Sequence, residues 1–309
     1  MTVIVRDVGP GSAEDAEGFA RVRRAALPFM LSTGPHLIHE WAHAHPDAHA
    51  RPLLAEADGE IVGCAEVELA HESPEPGDGV ANVHVHPEHL GRGAGTLLLR
   101  AAEEHLAHAG ARRVYSWVFD DPASRAFAGR HGYEGRRTAY FLRLDLTTAA
   151  LPPLQSPPDG VELRPASDFA ADPRPLFELD ALTTADEPGD VAAGLTDYEH
   201  WLATTWRHPL QNHELTMVAL SGGRPVAFSA ALDDGLGRYG SGMTGTAPGF
   251  RGRGLAKLVK NASLHRARAA GRTEAFTGND AGNAPMLAVN RWFGYEIGAR
   301  EVRHVRTLG

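Results

Sequence analysis

Apolar residues recur along this chain with two alternating spacings, and the same order of spacings occurs twice. The spacing of an amphipathic helix, with an apolar residue at every third or fourth position, occurs over 13–31, 35–45, 175–184 and 197–206. Short apolar-rich runs typical of paired strands occupy 52–57, 60–70, 216–220 and 225–232. Because helices precede a strand pair in each half, the pattern predicts one mixed helix-and-strand fold that is used twice.

Two glycine-rich stretches mark this repeat most clearly. Residues 83–110 read VHVHPEHLGRGAGTLLLRAAEEHLAHAG, and residues 244–271 read TGTAPGFRGRGLAKLVKNASLHRARAAG. Each is predicted to run from a strand through a proline and a Gly-Arg-Gly turn into a helix, followed by a further strand at 113–119 or 273–277. A Gly-Tyr pair follows in both halves: 41 residues separate Gly91 from Gly132, and 42 separate Gly252 from Gly294. The nearly equal spacing predicts a duplicated domain.

The segment between the halves, 146–160, reads LTTAALPPLQSPPDG and has four prolines without any apolar periodicity. This composition predicts a stiff linker. We therefore predict an N-terminal domain at 1–148, a Pro-rich linker at 149–160 and a C-terminal domain at 161–309, each domain of ordinary size.

Composition and charge narrow the class of protein. The apolar fraction of 43% and charged fraction of 22% are typical of globular proteins, and the formal net charge of -9 disfavours nucleic acid as a partner. The chain has neither the run of about 18 apolar residues that a membrane span needs nor a recognisable signal peptide. Cys64 is the only cysteine, which fits a reducing cytoplasm, and it is predicted to be a buried strand residue. The oligomeric state is left open.

The sequence HEWAH, with His39, Glu40 and His43, contains the H-E-x-x-H pattern of zinc hydrolases. One helix would place both histidines, together with His36, on its polar face. A catalytic zinc needs a third protein ligand on another element, and no residue in the sequence is marked as one. We therefore predict that this face is solvated or contacts the acceptor, and we predict no metal site.

The two Gly-Arg-Gly turns have the features of an anion-binding site. A glycine turn that opens a helix exposes backbone N–H groups, and the helix dipole favours an anion there. Arg92 in the first copy, and Arg251 and Arg253 in the second, add positive charge. Neither turn has the Gly-Lys-Ser/Thr of ATP-binding loops, and neither is the G-x-G-x-x-G of dinucleotide-binding folds. The two turns therefore predict cradles for a pyrophosphate.

These residues resemble the GNAT N-acetyltransferases, whose acetyl-CoA loop reads Arg/Gln-x-x-Gly-x-Gly/Ala. The second copy, 251–256, matches fully, and the first, 90–95, matches except that Leu90 replaces the leading Arg or Gln. The resemblance covers most of both halves, and the layout is similar to that of mycothiol synthases. It implies an α+β fold class with two tandem GNAT folds, each a mostly antiparallel twisted sheet flanked by helices.

The resemblance also implies acetyl-CoA as the cofactor and assigns its contacts. Backbone groups of the strand before each loop would pair with pantetheine amides, the loop would bind the pyrophosphate, and asparagines after the second loop would line the acyl side. The implied residues are Val83, Val85, Gly91, Arg92, Gly93, Ala94, Gly95, Thr96, Thr244, Gly245, Thr246, Arg251, Gly252, Arg253, Gly254, Leu255, Ala256, Lys257, Asn279 and Asn283. For Asn279 and Asn283, helix capping is the alternative role.

The general acid and base of the family are not found at their usual places. Many relatives have a tyrosine four residues before the glycine of the Gly-Tyr turn, where this chain has Ala128 and Asn290. Many have a glutamate six residues before the loop proline, where it has Ala81 and Gly242. We name Asn290, Tyr239 and Glu66 as candidate catalytic residues.

The predicted function is transfer of an acetyl group from acetyl-CoA to a primary amine of a small molecule or peptide, by direct attack. Because only the second loop is complete, the C-terminal half is predicted to hold the active site. One alternative is a degenerate tandem protein that binds CoA in a regulatory or structural role. The other, a metal hydrolase built on HEWAH, is disfavoured.

Overall fold

The computed structural model describes residues 2–71, 73, 76–184 and 195–309, and the chain divides into two compact units. The first unit comprises Met1–Tyr140 and Ala299–Gly309, and the second comprises Phe141–Gly298. Among the described helices, none is both long enough and apolar enough to cross a membrane.

The first unit is built on strands that alternate with helices in the predicted order. Its elements are β1 (Val3–Asp7), α1 (Ala13–Ala26), α2 (Gly34–Ala42), β2 (Leu53–Ala57), β3 (Glu60–Leu69), β4 (Asp78–Val85), α3 (Ala94–His108), β5 (Arg113–Phe119) and α4 (Pro122–Arg130). Strand β6 (Glu134–Asp145) continues into the second unit. The strand order is β1-β2-β3-β4-β5, antiparallel except for the parallel pair β4–β5.

The second unit repeats this architecture. Its elements are β7 (Val161–Pro165), α5 (Arg174–Thr184), α6 (Tyr198–Trp201), β8 (Met217–Ser221), β9 (Arg224–Asp233), β10 (Arg238–Thr246), α7 (Leu255–Ala269), β11 (Glu274–Asp280) and α8 (Ala284–Trp292). Strand β12 (Glu296–Thr307) follows α8 and continues into the first unit. The strand order is β7-β8-β9-β10-β11-β6, with β10–β11 as the parallel pair.

Alternate residues of each strand pack on opposite faces of the sheet, as the period of two requires. In the first unit Leu53 belongs to the core under α3, whereas Leu54 and Cys64 pack against α1 and α2. In the second unit Met217 packs under α7, and Val218 packs against α5 and α6. Each sheet therefore has a helical layer on both faces, and the predicted burial of Cys64 is confirmed.

The last strand of the chain packs with the first unit. The residues of β12 from Glu301 to Thr307 form an antiparallel ladder with Phe119 to Arg113 of β5, so β12 covers the edge of that sheet. In the second unit β6 lies beside β11, where Arg143 forms an ion pair with Glu274. Each unit thus completes its sheet with a strand from the other half of the sequence. The predicted domain boundaries follow the repeat, and they stay a prediction.

Several predicted elements differ from the observed ones at their ends. The helix predicted over 13–31 ends at Ala26 because Pro28 disfavours a helical conformation for Leu27. The helix predicted over 35–45 ends at Ala42, and His45 is extended before Pro46. The helix predicted over 197–206 is the short α6 followed by a π-helical turn at Leu202–Trp206.

The predicted linker packs along α7. The side chain of Asn261 is fully buried, donates to the Pro152 carbonyl at 3.1 Å and accepts from the Gln155 N–H at 3.1 Å. Arg268 reaches the Ala149 carbonyl in the same way. These contacts hold the linker against the outer side of the second unit's main helix.

Candidate active site

The two parallel strands of the second unit separate part of the way along their length. Their ladder runs from Arg238↔Glu274 to Gly240↔Phe276 and then ends, while β10 continues to Thr246. The Thr277 hydroxyl donates to the Ser241 carbonyl at 3.1 Å at the point where the strands part. Beyond that point the β11-facing edge of β10 has no ladder partner among the described residues. Such an edge can pair with the amides of a ligand.

Strand β10 also has a bulge just after this point. Ser241 pairs with Ala231 and Thr244 pairs with Ser229, so Gly242 and Met243 together lie opposite the single residue Ala230. A bulge of this kind leaves one residue out of the ladder and turns its backbone groups away from the neighbouring strand. It therefore supplies N–H groups that can point at a ligand where the strands diverge.

The Gly-Arg-Gly loop follows β10 and opens α7. Gly252 has φ +74° and Gly254 has φ +78°, a left-handed conformation that side chains rarely adopt. A Cβ at either position would meet nothing within 4 Å. Glycine is thus required for the backbone conformation and leaves open space over the helix N-terminus, which fits the approach of a pyrophosphate.

Cationic side chains surround this loop. Arg251 Nε donates to the Thr246 carbonyl at 3.1 Å, and an Arg253 guanidinium nitrogen donates to the Gly249 carbonyl at 3.1 Å. Lys257, one helical turn further on, has its Nζ 4.9 Å from the centre of the Trp292 ring. The Arg251 contact also fixes the carbonyl of Thr246 at the end of β10.

The predicted asparagines have different partners. Asn283 caps α8, because its Oδ1 accepts from the Met286 N–H at 3.2 Å, and its contact with the cofactor stays a prediction. Asn279, on β11 beyond the end of the ladder, accepts a hydrogen bond from the Asn290 Nδ2. Asn290 itself is fully buried.

Lys260 is a buried lysine beside this asparagine pair. It is 0% exposed, and its Nζ donates to Asn290 Oδ1 at 2.6 Å. Burial lowers the pKa of Lys260 to about 7, and no charged group in the described part of the chain contributes to that shift. Its nitrogen also lies 5.2 Å from the centre of the Tyr295 ring.

Two tyrosines complete the buried polar cluster. The Tyr239 hydroxyl is 2.7 Å from Ser263 Oγ, and burial raises the pKa of Tyr239. The Tyr295 hydroxyl is buried and has no hydrogen-bond partner among the described residues. Burial, and then the neighbouring Tyr239, raise the pKa of Tyr295 well above its usual value. Tyr239 thus lies inside the unit, and its catalytic role stays a prediction.

The first unit has the same backbone frame around its own loop. Its β4–β5 ladder ends at Val80↔Tyr115, and Gly91 and Gly93 have φ +74° and +90° with open space above them. The β3–β4 ladder, however, runs without a shift in register from Leu69↔Gly79 to Gly63↔Val85. The first unit therefore forms the loop and the separating strands without the bulge.

Side chains in the first unit fill its site differently. The Asn82 Oδ1 accepts from the Trp117 N–H at 3.0 Å, across the gap between β4 and β5. The positions that match Lys260 and Asn290 in the repeat are Leu99 and Ala128, and both are buried. An apolar pair thus stands where the second unit has a hydrogen-bonded polar pair.

Glu66, the third candidate catalytic residue, lies on β3 of the first unit. It forms an ion pair with Arg23 at 2.7 Å, and its register partner on β4 is Asn82. The pKa of Glu66 is raised, mainly by burial, although Arg23 opposes this shift. The structure does not bring Glu66 together with Asn290 and Tyr239 in one unit, and its role stays a prediction.

The HEWAH histidines do not share one solvated face. His36 is buried and takes part in a capping box with Thr33, whereas His43 is exposed and follows the last residue of α2. The rings of His39 and His43 lie 4.2 Å apart. Across the described ranges, no group of three or more His, Cys, Asp or Glu is placed to hold a metal.

Lys260 was not among the residues predicted from the sequence. Its charge makes it resemble a solvated residue of α7, but Leu99 at the matching position of the repeat is apolar and buried. That comparison was the available signal, because matching helices of a duplicated fold present the same face to their sheets.

Comparison with known proteins identifies the family. The sequence profile of the acetyltransferase (GNAT) family matches residues 19–133 and 178–295, one match in each half. This chain therefore belongs to the GNAT acetyltransferases and is a tandem member. A mycothiol acetyltransferase of Nocardia farcinica is 33% identical over 289 residues, which cover 91% of this chain and 86% of that protein. One from a Nocardioides species is 29% identical over 223 residues, which cover 68% of this chain and 74% of that protein.

Solved structures agree on the fold. A GCN5-related N-acetyltransferase from Sphaerobacter thermophilus superimposes with a TM-score of 0.72 at 22% identity, over 99% of this chain and 95% of that one. A tandem GNAT protein from the clavulanic acid biosynthesis pathway gives a TM-score of 0.72 at 19% identity, over 100% and 99%. The predicted α+β class with two tandem GNAT folds is confirmed. The protein is an acyltransferase that moves an acetyl group from acetyl-CoA to an amine.

Proposed function

We propose that the second unit carries the working acetyl-CoA site of this N-acetyltransferase and that the first unit does not catalyse the transfer. The observation that carries this division is the bulge at Gly242 and Met243 of β10, which interrupts the register just after the strands part. In the first unit the matching strand is regular. The complete Arg251–Ala256 loop next to the bulge supports the same assignment.

The residues of the second unit fit each part of acetyl-CoA. The open backbone from Arg251 to Lys257 would hold the pyrophosphate, and the free edge of β10 at Thr244–Thr246 would pair with the pantetheine amides. Gly245 has a further reason to be glycine, since an added Cβ would lie 2.4 Å from Thr183 Oγ1. The cofactor supplies a thioester whose leaving group is a thiolate.

The chain's own part in the chemistry is to orient and to donate hydrogen bonds. Amine attack on an acetyl carbonyl puts negative charge on the carbonyl oxygen, and N–H groups fixed in advance stabilise that charge. The backbone at Gly242 and Met243 is suited to this role because the bulge takes it out of the ladder. Direct attack needs no enzyme nucleophile, which agrees with the burial of Cys64.

We propose a primary amine of a small molecule as the acceptor. The relatives named mycothiol acetyltransferases make the amine precursor of mycothiol the first acceptor to test. A panel of small-molecule and peptide amines would complete the test. Glu66 and Tyr239 are retained as candidate catalytic residues, and a cytoplasmic location is the expectation from the single cysteine.

The test is release of the CoA thiol from acetyl-CoA on adding each amine, with Gly254→Val as the matched inactive variant. We expect thiol release that depends on at least one amine and disappears in the variant. Saturable CoA binding without amine-dependent thiol release would instead favour the degenerate tandem protein.

A further inference from the structure

Buried lysines without a carboxylate partner are rare, because burial disfavours the charged form. Lys260 is such a residue: its hydrogen bond goes to the neutral side chain of Asn290, and burial alone accounts for its pKa shift within the described part of the chain. If the side chain at position 260 served only to fill the core, an apolar residue would suffice, as Leu99 does at the matching position in the first unit. The polar pair therefore calls for a role specific to the second unit.

The pair lies between the helix that follows the loop and the strand that leaves the ladder. Lys260 is three residues beyond Lys257 on α7, a rise of about 4.5 Å along the helix axis. Asn290 links it to Asn279, which stands on β11 past the last rung shared with β10. A continuous chain of hydrogen bonds thus runs from the buried ammonium group to the open edge of the site.

We propose that Lys260 is a positioning residue of the acetyl-transfer site: it fixes the Asn290–Asn279 pair and places a positive charge behind the position of the leaving thiolate. This inference rests on the proposed function of the second unit. The thiolate is the anion that leaves the acetyl group in this reaction, and a positive charge in a low-dielectric surrounding lowers its free energy. Lys260 transfers no proton in this account, and it acts through its charge and through Asn290.

The surroundings of Lys260 define how this charge responds to pH. In the described part of the chain two phenols lie near it: the Tyr295 ring centre is 5.2 Å from its nitrogen, and Tyr239 of β10 lies near Tyr295. Burial raises the pKa of both tyrosines, so both stay neutral near pH 7. The charge of Lys260 is then the one that changes near neutrality, and a bound anion would favour its charged form.

The double variant Lys260→Leu with Asn290→Ala tests the proposal, because it installs the apolar pair that the first unit already uses. The direct measurement is the pKa of the CoA thiol bound to the protein, followed by thiolate absorbance across pH. We expect this pKa to be at least one unit lower in the wild type than in the double variant. Leu99→Met in the first unit is the matched control and should leave it unchanged.

Kinetics supply the second measurement. With an accepted amine, kcat of the double variant should fall by about 30-fold or more while KM for acetyl-CoA stays within about threefold, because the pair acts on the leaving group rather than on binding. Lys260→Met, a single change of similar volume, should shift both quantities in the same direction. It guards against a folding defect peculiar to the double variant.

The outcomes separate the two proposals. An unchanged thiol pKa and kcat in variants that fold and bind CoA would overturn the role of Lys260 and leave the proposed function intact. Loss of CoA affinity in parallel with kcat would also overturn it, since that result indicates a structural role. A wild type that binds no CoA in the second unit would instead overturn the proposed function, and this inference with it.

Discussion

The two units share a backbone frame and differ in what fills it. Both have a parallel strand pair that separates, and both have a glycine loop with positive φ angles and open space above it. Only the second has a bulge in the diverging strand, and it replaces the apolar Leu99 and Ala128 with Lys260 and Asn290. The Gly-Arg-Gly loop, which both units have, therefore indicates the fold. The bulge and the Lys260–Asn290 pair distinguish the unit that is proposed to catalyse.

The largest expected effect comes from the loop glycines. Gly254→Val places a β-branched side chain at φ +78° and over the helix N-terminus, so we expect turnover to fall by roughly 100-fold or more. Gly93→Val makes the same change at φ +90° in the first unit, and there we expect less than about threefold loss. Steady-state thiol release measures both, and equal losses would contradict the division between the units.

The next effect is on stability and comes from Lys260. Its pKa in the folded protein is about 7, below the usual 10.5, so between these values the unfolded chain binds more protons. The free energy of unfolding should therefore rise with pH across this window, by up to about 1.4 kcal/mol per pH unit.

Lys260→Met should remove this rise and be more stable than the wild type by about 2 kcal/mol at pH 6, where the folded protein holds the buried charge. Denaturant unfolding at pH 6 and pH 9 measures the difference. The same slope in both proteins would show that Lys260 is not the titrating group.

A smaller effect is expected at the first position of the loop. Arg251→Leu reproduces the natural Leu90 of the first unit and removes the contact to the Thr246 carbonyl. Loss of one hydrogen bond from a charged group predicts a three- to tenfold weaker affinity for acetyl-CoA, roughly 1 kcal/mol, with kcat little changed. Titration calorimetry checks this, and an affinity equal to that of the wild type would mean that Arg251 does not contribute to binding.

The smallest expected effect is a loss of stability when a helix cap is removed, and it should be similar in the two units. Asn283 caps α8 and Asp121 caps α4, where its Oδ1 accepts from the N–H groups of Ala123 and Ser124. Replacing either by alanine should lower the free energy of unfolding by about 1 kcal/mol. If Asn283→Ala also weakens acetyl-CoA binding by more than Asp121→Ala does, the predicted cofactor role of Asn283 gains support.

Most of the fold could be predicted from the sequence because its signals are local. The strand pairs, the two loop helices and the duplication follow from apolar spacing and from glycine landmarks. Strands β6 and β12 were not predicted from the sequence, and the strands that they pair with could not be predicted either. The choice of β5 for β12 is a long-range pairing, and alternating residues in a strand do not specify which edge it will cover.

The site was predicted less completely, for two physical reasons. The bulge adds one residue to β10. Before it, matching residues of the two halves lie 160 positions apart, as Asp78 and Arg238 do; after it they lie 161 apart, as Val83 and Thr244 do. The repeat was aligned on the glycine loops, which follow the bulge, so this change of offset was not seen. Lys260 was missed because a charged residue on an amphipathic helix is normally exposed. Its burial depends on Asn290, thirty residues away in sequence.

The central claim is that one unit of this tandem acetyltransferase works, and titration calorimetry of the wild-type protein with acetyl-CoA tests it most directly. The account predicts one strong site per chain that Gly254→Val removes and Gly93→Val leaves in place. Two equivalent sites, or a single site that Gly93→Val removes, would contradict it.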